Sequence, residues 1–223
     1  MNTFHLKLRE VIQDPQFQTG LCHLYRYSAS ECVTGNGKVT PDVGRMRERD
    51  LIRTLHWKGI DTRQFSCDNS RADCFIDSVN NPLSIKHYAS ARDGGFKVTW
   101  TSDKNKADEE IRKFVMNGLR DNMLIVKLDK STHTVTFRFM SVDMLNKLVR
   151  KIANYKEFDP LDMTDPYKVF KKKKATNDRG VEFTSTFLNE FYKNCDWSES
   201  FEGDFIGDPK DADRRRDEML LKF

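Results

Sequence analysis

The stretch RADCFIDSVNNPLSIKHYA, residues 71–89, decides the fold of this chain. It contains two short extended runs, CFID (74–77) and LSIKHYA (83–89), on either side of SVNNP. Serine, asparagine and proline favour turns, so the two runs are predicted to form a β-hairpin. An acid, Asp73, stands at the start of the first strand, and a lysine, Lys86, lies inside the second.

Side chains alternate along a strand, which gives the second strand two different faces. One face is polar and charged, and Asp73 at the mouth of the neighbouring strand can lie near its lysine. His87 belongs to the opposite face, where we expect a core or hydrogen-bonding role. The face that carries the lysine consists of Ser84, Lys86 and Tyr88.

The helix that precedes the hairpin supplies a second acid. In VGRMRERDLIRTL (43–55) the residues Glu48, Leu51, Ile52 and Leu55 follow the spacing i, i+3, i+4 and i+7 of one helical face. Glu48 therefore lies on the apolar face and can approach the hairpin from a layer packed on the sheet.

The segments around the hairpin alternate between helical and extended patterns, and residues 21–33 fit either. This order predicts the α/β (α+β) class, with a central mixed β-sheet flanked by helices, over a core domain of residues 1–155. Residues 156–223 are more polar and form a predicted C-terminal extension, with a role in DNA binding or dimerisation. The other predicted helices cover 4–12, 103–119, 141–152 and 183–192, and the other predicted strands cover 63–67, 96–100, 123–128 and 135–140.

Composition limits the classes of function. The chain has 223 residues, 38 basic against 34 acidic, and a net charge of +4, which permits a nucleic-acid partner. Its five cysteines are odd in number and form no CxxC pair, which is typical of reduced thiols inside the cell. No apolar run approaches the length of a membrane span, so we expect a cytoplasmic protein with no membrane partner.

The acid and the lysine of the hairpin suit hydrolysis of a phosphate ester. A carboxylate can hold Mg²⁺, and the metal can polarise a phosphate and acidify a bound water. The ammonium group can position that water or offset developing negative charge. Other motifs are excluded: GNGK (35–38) lacks the leading glycine and the Ser or Thr of a phosphate-binding loop, and Cys22, His23 and Cys32 lack the spacing of a zinc site.

The hairpin resembles the signature of the PD-(D/E)xK nucleases, which is found in many type II restriction endonucleases. The matching residues are Asp73 and, after ten intervening residues, Ser84-Ile85-Lys86. Glu48, within GRMRE, resembles the helix glutamate that often precedes this signature. The resemblance covers residues 40–155. It implies a restriction-endonuclease-like core, Mg²⁺ as cofactor, double-stranded DNA as substrate and a homodimer with two active centres.

This sequence departs from the family pattern at two positions. Ala72 stands where the motif has proline, and Ser84 occupies the usual acidic position, which removes a metal ligand. In a subset of restriction enzymes with Ser-x-Lys, a glutamate from the helix after the hairpin replaces that acid. Here the replacement is Glu110, favoured over its neighbour Glu109, or else Glu48 or Asp77.

The resemblance assigns roles to the residues of the hairpin and of the two helices. Asp73 is the principal metal ligand, with Glu48 and Glu110 as auxiliary acids, and Lys86 orients water or stabilises charge. Ser84 occupies the degenerate acidic position of the same catalytic set. The basic residues predicted to contact DNA are Arg45, Arg49, Lys97, Lys172 and Lys173.

Three functions follow from this set. The first is a sequence-specific type II restriction endonuclease that depends on Mg²⁺. The second keeps the nuclease fold but acts on branched DNA or RNA. The third is a nucleic-acid-binding module without catalysis, in which Ser84 marks a lost active site and the basic residues alone bind.

Overall fold

The computed structural model describes residues 3–32, 42–64, 73–76, 78–88, 97–100, 106–156, 165–172, 180–208 and 210. Within these ranges the chain forms seven helices and nine strands. The helices are α1 (Thr3–Gln13), α2 (Pro15–Glu31), α3 (Asp42–Trp57), α4 (Lys106–Asn117), α5 (Val142–Ile152), α6 (Pro166–Val169) and α7 (Ser185–Asn194). The strands are β1 (Thr62–Gln64), β2 (Cys74–Ile76), β3 (Ser78–Tyr88), β4 (Lys97–Trp100), β5 (Asn122–Asp129), β6 (Thr134–Met140), β7 (Phe170–Lys172), β8 (Gly180–Phe183) and β9 (Trp197–Glu202).

The main sheet has six strands in the order β1-β2-β3-β5-β6-β9. Strands β3 and β5 are parallel, with Lys86 opposite Ile125, and every other neighbouring pair is antiparallel. A parallel pair needs a crossover connection, and here that connection includes α4. The predicted central mixed β-sheet flanked by helices is confirmed.

The two faces of the main sheet bury separate apolar cores. Leu124 and Val126 of β5 point into a core shared with α1, α2 and α3. Met123 and Ile125, one residue out of step, point into a second core shared with α4, α5 and α7. This alternation explains why β5 reads as a continuous apolar run, because helices cover the sheet on both sides.

A smaller sheet of three strands, in the order β4-β8-β7, lies beside the second core. Residues 96–100 were expected to be a further strand, and β4 is that strand, but it pairs with β8 rather than with the main sheet. Strand β9 pairs with β6, so residues 197–202 of the predicted extension complete the main sheet. A role of residues 156–223 in DNA binding or dimerisation stays a prediction.

The predicted hairpin is present, but its turn lies elsewhere. Strand β3 already begins at Ser78, so SVNNP belongs to the strand instead of forming a loop. Phe75 pairs with Pro82 and Ile76 with Ser78, and the register therefore shifts between these two pairs. The irregular pairing accommodates the turn-forming residues as a bulge, which local composition does not distinguish from a turn.

Two helix assignments are sharper than the sequence allowed. The sequence pattern of residues 21–33 fits either a helix or a strand, and the structure places most of them in helix α2. Asp14 caps this helix by accepting a hydrogen bond from the Gln16 amide. Helix α4 ends at Asn117, before the predicted end at 119, because Gly118 adopts a φ of 78° and stops the helix. No helix within the described ranges has the length and apolar character needed to cross a membrane.

Candidate active site

The candidate site lies where β2 and β3 pair. Asp73 directly precedes β2, and its backbone amide donates to the Leu83 carbonyl at 2.9 Å. Its Oδ2 accepts hydrogen bonds from the Ile85 amide at 2.5 Å and the Ser84 hydroxyl at 3.4 Å. These contacts hold the carboxylate across the strand that carries the lysine.

Lys86 and Asp73 form an ion pair, with 3.6 Å between Nζ and Oδ2. Their side chains keep 25% and 19% of their surface exposed, so both groups are half-buried but accessible to a substrate. Asp73 and Lys86 are thirteen residues apart in sequence, and the antiparallel pairing of β2 with β3 brings them together. Ser84 is buried at 7% exposure and reaches the same carboxylate oxygen.

Glu48 lies near this ion pair on α3, one of the helices that cover the first core of the main sheet. Leu51, Ile52 and Leu55 of α3 are buried, and half-buried Glu48 continues their stripe towards β3. Burial, and then the negative charge of Asp73, raise the pKa of Glu48 to about 7, while Lys86 and Arg45 oppose the shift. Glu48, Asp73 and Lys86 are therefore close enough to influence one another's charge.

Glu110 approaches from the opposite layer. It lines a cavity of about 260 Å³ together with Ser84 and Lys86, and it is half-buried on α4. Its Oε1 is 3.4 Å from Nζ of Lys113, which also pairs with Glu109. The structure thus places Glu48 within electrostatic range of Lys86 and Glu110 in the lining of the cavity beside Lys86, while Asp77 lies outside the described residues.

The residues present fit a divalent cation of the magnesium type. Glu48 and Asp73 are two carboxylates whose mutual repulsion a bound cation would relieve, and Mg²⁺ in proteins commonly keeps water and takes one or two carboxylates. No cluster of three or more metal-ligating side chains occurs in the part of the chain that the structure describes. Glu48 and Asp73 are the residues that would hold the ion.

Four of the residues predicted to contact DNA lie on three described elements. Arg45 and Arg49 are exposed on α3, on the helix that carries Glu48. Lys172 is exposed on β7 but forms an ion pair with Asp108 of α4. Lys97 lies in β4 opposite Glu182, and Lys173 lies outside the described residues.

Sequence reasoning missed the polar cluster behind the site. The Tyr25 hydroxyl and His87 Nε2 share a hydrogen bond of 2.7 Å, and Arg47 is buried at 4% exposure near Tyr25. Arg47 lies between the exposed Arg45 and Arg49 on α3, but its burial directs it to this polar cluster and not to the surface. The sequence pattern did not predict that Arg47 is buried, because the helical spacing of α3 identifies only the face that contains Glu48 and the apolar residues.

Sequence reasoning also missed the connection between α4 and β5. Asn117, Leu119, Arg120 and Asp121 line the cavity beside Lys86. The only available signal was Gly118, which marks a helix end followed by a short polar turn.

Comparison of the whole structure with solved structures identifies the class of fold. A restriction endonuclease in complex with substrate DNA matches with a TM-score of 0.66 and 19% sequence identity, over 91% of each chain. The chain therefore has a restriction-endonuclease-like fold, as the hairpin signature predicted. No protein-family model and no curated protein sequence matches it.

Proposed function

We propose that this protein is a Mg²⁺-dependent endodeoxyribonuclease, of the sequence-specific type II restriction kind. The observation that carries the proposal is the Asp73–Lys86 pair on adjacent strands, with Glu48 facing it from α3. This arrangement of two acids and a lysine occurs on a restriction-endonuclease-like fold. The solved structure of that fold holds substrate DNA, which supports DNA as the substrate here.

The residues of the site divide the work of hydrolysis between them. Asp73 and Glu48 would hold Mg²⁺, which when bound neutralises phosphate charge and makes a water more acidic. Lys86, kept in place by Asp73, can donate a hydrogen bond to a phosphate oxygen or to the attacking water. Ser84 cannot supply a carboxylate, and its hydroxyl instead orients Asp73 by donating to Oδ2.

A cleavage assay on unmethylated DNA with Mg²⁺ tests this function directly. Discrete fragments from the intact protein are expected, with at least a hundredfold loss of rate in both Asp73→Asn and Lys86→Met. The matched controls are Asp129→Asn and Lys127→Met, because Lys127 and Asp129 form an ion pair of the same 3.6 Å length on β5. Equal cleavage by the site variants and the controls would overturn the site.

The second acid can be identified from the metal requirement. We propose that Glu48 fills this role, because its charge is coupled to Asp73 and Lys86 whereas Glu110 is engaged by Lys113. The Mg²⁺ concentration for half-maximal cleavage should then rise about tenfold in Glu48→Gln and change less in Glu110→Gln. The reverse order would assign the role to Glu110.

The substrate range and the assembly need separate measurements. Duplex DNA, branched DNA and single-stranded RNA are compared under one set of conditions, and preference for duplex DNA with a fixed fragment pattern supports restriction. We also propose a homodimer, since cutting both strands of a symmetric site calls for two active centres. Light scattering of the purified protein with and without DNA measures this, and a monomer in both states would contradict it.

A further inference from the structure

The connection between α4 and β5 forms one wall of the cavity that contains Ser84 and Lys86. Leu119, Arg120 and Asp121 of this connection contribute to that wall. The lining also includes Phe114 and Val98, so charged and apolar groups border the same cavity. The cavity continues from the candidate site along the end of α4.

Hydrogen bonds from Asn146 hold this connection in one conformation. Asn146 Oδ1 accepts from the Leu119 amide at 2.7 Å, and its Nδ2 donates to the Leu119 carbonyl at 2.9 Å. Gly118 is required next to them, since a Cβ at that position would lie 2.9 Å from Asn146 Nδ2. Both backbone groups of a cavity-lining residue are thereby tied to α5.

Asn122 fixes the other end of the connection. Its Nδ2 donates to the Pro82 carbonyl of β3 at 3.1 Å, and its Oδ1 accepts from the Val142 amide at 3.0 Å. The wall is thus joined to the strand of Lys86 at one side and to α5 at the other. Arg120 consequently extends from a backbone that is held relative to Lys86.

The cavity lining carries three cations, Lys86, Lys113 and Arg120, against the carboxylates of Glu110 and Asp121, so a phosphate group of DNA would meet a net positive charge. The exposed guanidinium of Arg120 offers donors in the fork geometry that suits phosphate oxygens. The half-buried ring of Phe114 and the side chain of Leu119 provide an apolar surface for a deoxyribose. A volume of about 260 Å³ suits one sugar–phosphate unit of a DNA strand, with the rest of the duplex outside the cavity.

We propose that this cavity binds the sugar–phosphate unit next to the scissile phosphate, with Arg120 as the phosphate-binding residue and Asn146 as its positioning residue. The location of the scissile phosphate rests on the proposed function. The binding of a DNA strand by the cavity does not require hydrolysis. The two ideas can therefore fail independently.

The test measures binding of a fluorescent DNA duplex of mixed sequence at several salt concentrations, in an Asp73→Asn background that prevents cleavage. Arg120→Ala should raise Kd about tenfold and lower the slope of log Kd against log salt by about 1. Arg120→Lys should keep the slope. Arg112→Ala is the matched control, because Arg112 is exposed on α4 but does not line the cavity.

Asn146→Ala tests the positioning role. It should reproduce the rise in Kd of Arg120→Ala, and the double variant should bind no more weakly than either single variant. Additive losses would overturn the role of Asn146. If Asn146→Ala does not fold by circular dichroism, Asn146→Asp replaces it, since its carboxylate still accepts from the Leu119 amide.

The outcomes separate the two proposals. Equal affinity and equal salt slope in Arg120→Ala and Arg112→Ala would overturn the subsite, whether or not the intact protein cleaves DNA. A selective effect of Arg120→Ala together with no cleavage under any divalent metal would leave the subsite standing and overturn the hydrolytic function.

Discussion

The Tyr25 hydroxyl lies 2.7 Å from Nε2 of His87, the residue that follows Lys86 in β3. Their rings meet edge to face with centroids 5.6 Å apart, and Tyr25 is fully buried in α2. Because side chains alternate along a strand, this bond anchors the face of β3 opposite to Lys86. The strand of the candidate site is thus attached to the helical layer behind it.

Removing this hydrogen bond should weaken the fold. Tyr25→Phe should lower the free energy of unfolding by about 1 kcal/mol, because half-buried His87 loses its hydrogen-bond partner. Urea unfolding followed by circular dichroism measures the change. Tyr155→Phe is the control, because phenylalanine keeps the ring contact of this half-buried residue with Arg150, and it should stay within about 0.5 kcal/mol of the parent.

His87 should make the protein sensitive to acid. Burial, and then the charges of Arg47 and Lys86, lower the pKa of His87 to about 3, so the unfolded chain binds its proton more readily. The stability that depends on neutral His87 is fully present above pH 6.5 and is lost as the pH falls towards 3. His87→Gln should reduce the slope of unfolding free energy against pH by up to about 1.4 kcal/mol per unit.

The measurement for His87 is a series of urea unfolding curves at pH values between about 4 and 8, for the parent and for His87→Gln. His5 contributes in the same direction, because burial also lowers its pKa, so only the difference between parent and variant is diagnostic. Parallel curves for the parent and His87→Gln would show that folding does not change proton binding by His87, and would contradict the lowered pKa.

Glu48 should destabilise the metal-free protein at alkaline pH. Its folded pKa of about 7 lies above the ordinary value of 4.5, so the folded state holds a proton that the unfolded state releases. Stability therefore falls as the pH rises through this window. Glu48→Gln should stabilise the metal-free protein by roughly 1 kcal/mol at alkaline pH, a value reduced for partial exposure of the side chain.

The control for Glu48 is Glu109→Gln. Hydrogen bonding to Lys113 lowers the pKa of exposed Glu109, so its removal should give no gain in stability at alkaline pH. Thermal unfolding in a chelator and then in Mg²⁺ adds a second readout. Mg²⁺ should stabilise the parent more than Glu48→Gln, and equal stabilisation would argue against Glu48 as a ligand.

Gly118 should tolerate no side chain. Gly118→Ala combines a φ of 78° with a close approach to Asn146, and should cost roughly 1 to 3 kcal/mol. Gly44→Ala is the matched control, because nothing lies within 4 Å of a Cβ there, and it should stabilise α3 by about 0.5 to 1 kcal/mol. Thermal unfolding of both variants gives the comparison, and similar shifts would contradict the close contact at Gly118.

The sequence by itself determined the elements that local pattern controls. The helical spacing of α3 places Leu51, Ile52 and Leu55 in the core with Glu48 in line with them, as the structure shows. The extended runs of β5 and β6 and the hairpin of β2 and β3 were also predictable, because their patterns depend on neighbours close in sequence.

Only the tertiary structure decided which distant segments meet. The pairing of β4 with β8 and of β6 with β9 joins residues far apart in the chain, and local propensity carries no information on such partners. The same applies to Glu48 of α3 and Glu110 of α4, which lie in helical layers on opposite faces of the main sheet. The polar contacts of Tyr25 with His87 and of Asn146 with Leu119 likewise arise from packing, because each joins two elements that the fold alone brings together.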